Sequence, residues 1–193
     1  MDVVEVRVDS LPKPPDVTDV AALPLPAILT VRRFDEGGSR SLSDEQRAML
    51  YLELLPAAAA IDLKVASLRS RDLKPVVEAA RQAEVPIIAS FHDFSATPSL
   101  ARLKNVMARA RGAGANVVKI ATKTESPADV AALLTLLESA DGPLSVMGMG
   151  KLGRASRLLL AKAGSVLNYA WLHRPQVPGQ WSARDFCRLF ESA

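Results

Sequence analysis

Two hydrophobic patterns alternate along the chain. Short apolar runs, rich in β-branched side chains, occur at Val3–Val8, Ala27–Arg32, Ala59–Val65, Val85–Phe91, Asn116–Ala121, Leu144–Met147 and Val166–Trp171. Runs of this length and composition read as strands, and unbroken ones as strands buried on both faces. Longer stretches between them carry helical signals: a weak one at Val17–Leu23, then Leu73–Ala83, Ser99–Arg111, Pro127–Ser139 and Arg154–Ala163. Ser43 is a good N-cap with Asp44 and Glu45 in the first turn of a helix to about Leu55, and Ser182 caps another to Glu191. The loops are punctuated by a proline-rich stretch at Ser10–Pro15, by Gly37-Gly38 inside Phe34–Leu42, and by Pro178-Gly179-Gln180.

Strands alternating with helices predict an α/β fold with parallel pairing and right-handed crossovers. The pattern predicts seven strands in units averaging under about 30 residues, close to the allotment of a (β/α)8 TIM-type barrel. The rival is a doubly wound open sheet, which usually advertises a glycine-rich phosphate loop after its first strand. None follows Val3–Val8.

Polar residues interrupt the strands at two-residue spacing, so each set shares a face. Glu5, Arg7 and Asp9 form one set, followed by Thr30 and Arg32, Asp62 and Lys64, and Ser90 and His92. They cluster toward the strands' C-terminal ends, which in a barrel form the catalytic mouth. Any one pair reads equally as a structural buried ion pair; their convergence predicts a polar pocket. Lys119 sits inside the run Asn116–Ala121. A lysine in a buried strand is costly unless paired, neutralised or chemically used, and a desolvated free amine is the nucleophile that forms Schiff bases. The alternative is a strand-end lysine whose stem packs while its head reaches solvent.

Composition narrows the function classes. The 193 residues suffice for one large domain, 1–193, and the 49% hydrophobic and 23% charged content is that of an ordinary globular chain. No apolar run is long enough to span a bilayer, and the chain opens directly on a strand-like pattern rather than on a signal peptide. The net charge of +3 comes from scattered Lys and Arg, which argues against nucleic acid but leaves room for a basic cleft around a small anion. The single cysteine, Cys187, cannot form an internal disulfide, which fits a reducing cytoplasm, and it reads as a thiol on a helix face. There are no heptads, low-complexity tracts or repeats.

The ordered set of short motifs resembles the type I 3-dehydroquinate dehydratases. Glu5-Val6-Arg7-Val8-Asp9, Thr30-Val31-Arg32, Glu36-Gly37-Gly38, Ile61-Asp62 and Ser90-Phe91-His92-Asp93-Phe94 carry the resemblance through the first half. Val118-Lys119-Ile120-Ala121, Met149-Gly150-Lys151-Leu152-Gly153, Ser156-Arg157, Gly164-Ser165 and Pro178-Gly179-Gln180 continue it. Each motif alone is weak, whereas one per strand end, in order, is specific. The resemblance implies a (β/α)8 barrel that removes water from 3-dehydroquinate in the shikimate pathway, with no cofactor or metal.

It also implies roles. Lys119 would condense with the C3 ketone, and the protonated imine would acidify the neighbouring C2 proton. His92 would be the general acid/base, with Glu36 orienting it and supporting its charged form. Arg157 and Gln180 match the substrate-carboxylate site, with Gln176 in the same loop, while Glu5, Arg7 and Arg32 match the groups that hold ring hydroxyls and shape the pocket floor. Taken singly, His92 reads as a structural strand histidine, Glu36 as a solvated turn residue, Arg157 as a helix-surface arginine and Gln180 as an exposed amide. A small-molecule substrate, a homodimer and a cytoplasmic location are expected.

Three departures accompany the resemblance. An acidic residue usual after Ile-Asp-x is Lys64 here, a serine usual four positions before the glutamine is Gln176, and the chain opens on what would be the family's second strand. The expectation is therefore a barrel N-terminally truncated to about seven β/α units, C-shaped, weakly active and aggregation-prone, with the natural start upstream of Met1. A non-catalytic or regulatory homologue, or another Schiff-base lyase or aldolase on the same fold, is the alternative.

Overall fold

Six of the seven apolar runs form strands in the structure, a computed structural model that describes residues 2–192. The strands are β1 (Val4–Arg7), β2 (Ala27–Thr30), β3 (Ala60–Lys64), β4 (Ile87–Asp93), β5 (Val117–Lys123) and β6 (Leu144–Met149). They take the sheet order β1-β2-β3-β4-β5-β6, and the pairs β1/β2, β2/β3, β3/β4 and β5/β6 are parallel. The helices are α1 (Val17–Ala21), α2 (Asp44–Leu54), α3 (Lys74–Gln82), α4 (Leu100–Gly112), α5 (Pro127–Glu138), α6 (Gly153–Lys162) and α7 (Ala183–Ser192). The α/β class with a parallel sheet stands. The expected domain span 1–193 includes Met1 and Ala193, which lie outside the described residues.

The strand count is corrected from seven to six among the described residues, because Val166–Trp171 forms no strand. The run starts beside β6, where the Val166 amide donates to Leu144 O at 3.1 Å. Its carbonyls are then claimed by side chains: Ser145 Oγ donates to Leu167 O at 2.5 Å and an Arg157 Nη to Tyr169 O at 2.8 Å. Trp171 instead bridges to Ser182, with its amide donating to Trp181 O at 3.0 Å. Past Val166 the run's polar groups thus find side-chain and loop partners in place of a neighbouring strand.

The chain divides into two compact units, Met1–Ser90 with Ala110–Asn116, and Phe91–Arg109 with Val117–Ala193. In the first unit, strand register places Leu29, Ile61 and Ile87 in one row. All three are buried, as are Tyr51 and Leu54 of α2 and Val76, Val77 and Ala80 of α3. The Tyr51 hydroxyl donates to Asp62 O at 2.5 Å and accepts from the Val31 amide at 2.9 Å, and burial pushes its pKa up to about 12. Ser43 caps α2 as expected, with Gln46 returning the bond in a capping box.

In the second unit, the register pairs Val118 with Leu144 and Ile120 with Val146 on one face of β5 and β6. These side chains are buried, together with Leu133 and Leu136 of α5 and Leu160 of α6. Each such residue contributes on the order of 1.5–3 kcal/mol by leaving water. The opposite face pairs Lys119 with Ser145 and Ala121 with Met147. Among the described residues no helix is long and apolar enough to cross a membrane.

Candidate active site

The polar positions of the first unit condense around one guanidinium. Arg32, just past β2, is 5% exposed and binds Asp62 of β3 through two bonds of 3.1 Å, while Nη1 also donates to Ser90 Oγ at 2.6 Å. Glu5 Oε1 lies 3.7 Å from Arg32 and accepts from Thr30 Oγ1 at 2.7 Å. Burial opposes the Arg32 charge, but the Asp62 and Glu5 carboxylates outweigh it and hold its pKa above the ordinary value.

Arg7 turns away from that cluster. Its guanidinium donates to both carboxylate oxygens of Asp9, at 3.0 and 2.7 Å, and to Gly37 O at 3.1 Å. The buried Asp9 carboxylate also accepts the amides of Arg32 and Ser39, each at 3.0 Å. Burial opposes its charge; the Arg7 guanidinium and the two amides overcome this and leave the pKa below the ordinary value. The turn between those amides carries Glu36, which closes a short 3-10 segment at Phe34–Glu36. Gly37 leaves that segment at φ 80°, in the left-handed region, and a Cβ on Gly38 would meet Arg32 O at 2.5 Å and Arg33 O at 2.6 Å. The glycine pair is therefore what lets the turn fold back and bury Glu36. Lys64 Nζ of β3 faces that turn, 3.0 Å from Asp35 and 3.6 Å from Glu36 Oε1.

In the second unit, Lys119 is 3% exposed on β5, and its Nζ lies 3.7 Å from the centroid of the Tyr169 ring. An ammonium against an aromatic face is attracted by the ring quadrupole. Tyr169 and Val177 pack against a buried cluster of Ala121, Met147 and Met149, so the Lys119 face is walled by apolar side chains. His92 on β4 stacks on Phe94, with centroids 6.0 Å apart and ring planes 9° apart. Asp93, between them, is engaged elsewhere: its carboxylate accepts the Ser95 and Ala96 amides in a tight turn.

Arg157 lies on α6 and is 5% exposed, which excludes the helix-surface reading. It donates to Gly148 O at 2.9 Å and Tyr169 O at 2.8 Å, and among the described residues no carboxylate pairs with it. Burial alone pulls its pKa down to about 10. The loop after β6 presses on the Pro178-Gly179-Gln180 loop so closely that a Cβ on Gly179 would meet Gly150 O at 2.6 Å. This fixes Gln180, which is buried and accepts the Gln176 amide on Oε1 at 2.9 Å. The Gln176 side chain itself is exposed and reaches only Arg174 O, at 3.5 Å.

Of the candidate residues, Glu5, Arg7, Arg32 and Glu36 thus belong to the first unit. Lys119, His92, Arg157, Gln176 and Gln180 belong to the second, where Gln176 contributes through its backbone. Two residues to which sequence reasoning gave no site role stand at these groups. Asp9 organises Arg7 and the Glu36 turn, and Tyr169 covers the Lys119 amine while its carbonyl holds Arg157. Asp9 was visible as the third polar position of the first strand; Tyr169 was hidden in a run read as a strand. The second unit supplies an amine in an apolar wall, an imidazole and a buried guanidinium held only by carbonyls, groups suited to imine formation with an anionic carbonyl compound. The first unit carries a separate cluster of carboxylates around Arg32.

Comparison with known proteins bears on the same point. The type I 3-dehydroquinase family matches residues 1–192. A 3-dehydroquinate dehydratase of Methanothrix thermoacetophila is 35% identical over 185 residues, covering 95% of this chain and 78% of that protein. One from Thermodesulfovibrio yellowstonii is 30% identical, covering 98% and 84%. The crystal structure of the type I enzyme of Clostridium difficile, with covalently modified comenic acid, superposes with a TM-score of 0.88 at 26% identity, covering 100% of this chain and 82% of that one. The Aquifex aeolicus 3-dehydroquinate dehydratase gives 0.86 at 30% identity, covering 100% and 88%. The chain belongs to the type I 3-dehydroquinase family.

Proposed function

We propose that the chain is a hydro-lyase that converts 3-dehydroquinate to 3-dehydroshikimate, with Lys119 as the imine-forming amine. The observation that carries this assignment is the burial of Lys119 on β5 at 3% exposure against the Tyr169 ring. An amine in that setting costs stability unless it is paired or its chemistry is used. Lys119 Nζ adds to the C3 ketone and water leaves, giving a protonated imine that draws electrons from C2. His92 takes the C2 proton, and the resulting enamine expels the C1 hydroxyl, which leaves as water with a proton from His92. Hydrolysis of the imine returns the free amine and the enone product. Glu36 is the third member of this catalytic set.

Arg157 and Gln180 take the substrate carboxylate. The guanidinium is buried with only carbonyl partners, so an incoming carboxylate would supply the charge it lacks. Glu5, Arg7 and Arg32 address the ring hydroxyls, and the Gln176 backbone holds Gln180 in place. The same proposal takes 1–193 as a single (β/α) barrel domain. It also takes the protein to be cytoplasmic, consistent with the free Cys187, and homodimeric, for which exposed Leu159, Val166 and Leu172 offer apolar surface.

Turnover of 3-dehydroquinate, followed by the ultraviolet absorbance of the enone, tests the reading. The intact chain should turn over and Lys119→Met should not. Undiminished turnover in Lys119→Met would overturn it.

A further inference from the structure

The cluster around Arg32 is unbalanced. Three carboxylates approach its guanidinium: Asp62 at 3.1 Å, Glu5 at 3.7 Å and Glu36 at 3.9 Å. The short bidentate contact goes to Asp62, which leaves Glu36 the most distant share of that charge. Glu36 is nonetheless buried, and burying a carboxylate is costly unless cations or donors compensate for the lost water. Lys64 supplies a second positive charge from the neighbouring strand and comes closer to Glu36 than Arg32 does, 3.6 Å against 3.9 Å.

Geometry explains how it gets there. Asp62 and Lys64 are two residues apart on β3, so they share a face, and Asp62 stands on the row of Thr30 while Lys64 stands on that of Ser90. The turn bearing Asp35 and Glu36 leaves the end of β2, beside β3. The Lys64 side chain, 22% exposed, reaches out to this turn and takes both acidic residues, Asp35 Oδ2 at 3.0 Å and Glu36 Oε1 at 3.6 Å. Asp35 is itself held from its other side by Arg33 at 3.0 Å. The turn is thus tied at its amides by Asp9 and at its acidic side chains by Lys64.

We infer that Lys64 is a positioning residue that, with Arg32, clamps the Glu36 carboxylate in its buried place at the end of β2. It touches no reacting atom and acts through Glu36, so the inference rests on the catalytic role assigned to Glu36 above. Lys64→Met leaves the carboxylate with less compensating charge and frees the turn, and Lys64→Arg replaces the cation.

Steady-state kinetics on 3-dehydroquinate, with thermal melting as a check of folding, decide it for Lys64→Met, Lys64→Arg, Glu36→Gln and the double variant Lys64→Met/Glu36→Gln. The expected result is a kcat about tenfold lower in Lys64→Met with KM within about twofold, the scale of coupling between contacting charged groups. Lys64→Arg should recover most of that loss. In the Glu36→Gln background, Lys64→Met should have no further effect. Normal kcat in Lys64→Met beside a low kcat in Glu36→Gln would overturn the clamp and leave the Glu36 role standing. An undiminished Lys64→Met loss in the Glu36→Gln background would also overturn it, because Lys64 would then act elsewhere. Normal kcat in Glu36→Gln would remove the role of Glu36 itself, and the clamp with it.

Discussion

At the scale of single residues, Arg157 best separates a binding group from a structural one. The other deeply buried arginines meet carboxylates: Arg32 has Asp62 at 3.1 Å and Arg47 has Asp44 at 2.8 Å. Arg157 is as buried as Arg32, yet its partners are carbonyls and its pKa falls to about 10. Arg157→Ala should weaken substrate binding by about 1.5–3 kcal/mol, the worth of a hydrogen bond to a charged group, read as a raised KM. Arg157→Lys should restore only part of it, since the fork is lost; an unchanged KM in the Ala variant would assign the carboxylate elsewhere. His92→Ala should fold and lose about 10²-fold or more in kcat, the usual scale of acid–base catalysis. Near-normal turnover would move that role to another group. Lys119 was legible in the sequence because a charge inside an apolar run breaks the pattern. Tyr169 was not, because its part depends on where its backbone carbonyl is spent, and an aromatic residue in an apolar run breaks no pattern.

At the scale of elements, the turn after β2 is the piece most dependent on distant help. Asp9 gathers Arg7 and the Arg32 and Ser39 amides on one buried carboxylate. Its pKa is depressed in the folded chain, so its contribution is present above the unfolded value of about 3.9 and is lost as pH falls through the folded value. Asp9→Asn should therefore cost about 3 kcal/mol in urea unfolding at neutral pH, the scale of breaking a buried pair. The gap from the unsubstituted chain should narrow as the pH drops below about 3.9. A gap independent of pH would mean that the carboxylate's charge does not hold the turn. Gly38→Ala should destabilise the same turn, since its Cβ would sit 2.5 Å from Arg32 O; unchanged melting would contradict that close approach.

Among the described residues, element type was readable from periodicity for every α-helix and for six strands, with ends shifted by a residue or two where caps and turns decide them. The seventh run failed because β-propensity describes side chains fit for a half-buried surface, not which partners the backbone meets. Ser145 and Arg157 bond two of its carbonyls. Gln176 shows a similar limit. Its place beside Gln180 was legible, but the structure uses its amide rather than its side chain.

For the whole molecule, family membership rests on matches along nearly the full chain, and the α/β class on six parallel strands. Each compact unit carries its own part of the candidate set: the carboxylate and arginine cluster in the first, and the amine, imidazole and unpaired guanidinium in the second. Glu5, Arg7, Arg32 and His92 were legible because they recur at two-residue spacing near strand ends, Lys119 because it breaks an apolar run, and Arg157 only through the motif that carries it. The charge balance within each unit was not, since it depends on which groups meet in space. The central claim is that one lysine, Lys119, forms the covalent intermediate. The most direct test adds borohydride to the protein with 3-dehydroquinate or its product and locates the reduced adduct by peptide mass spectrometry. The account predicts a single adduct on the peptide containing Lys119, absent from Lys119→Met. An adduct on any other lysine, or turnover with no adduct at all, would contradict it.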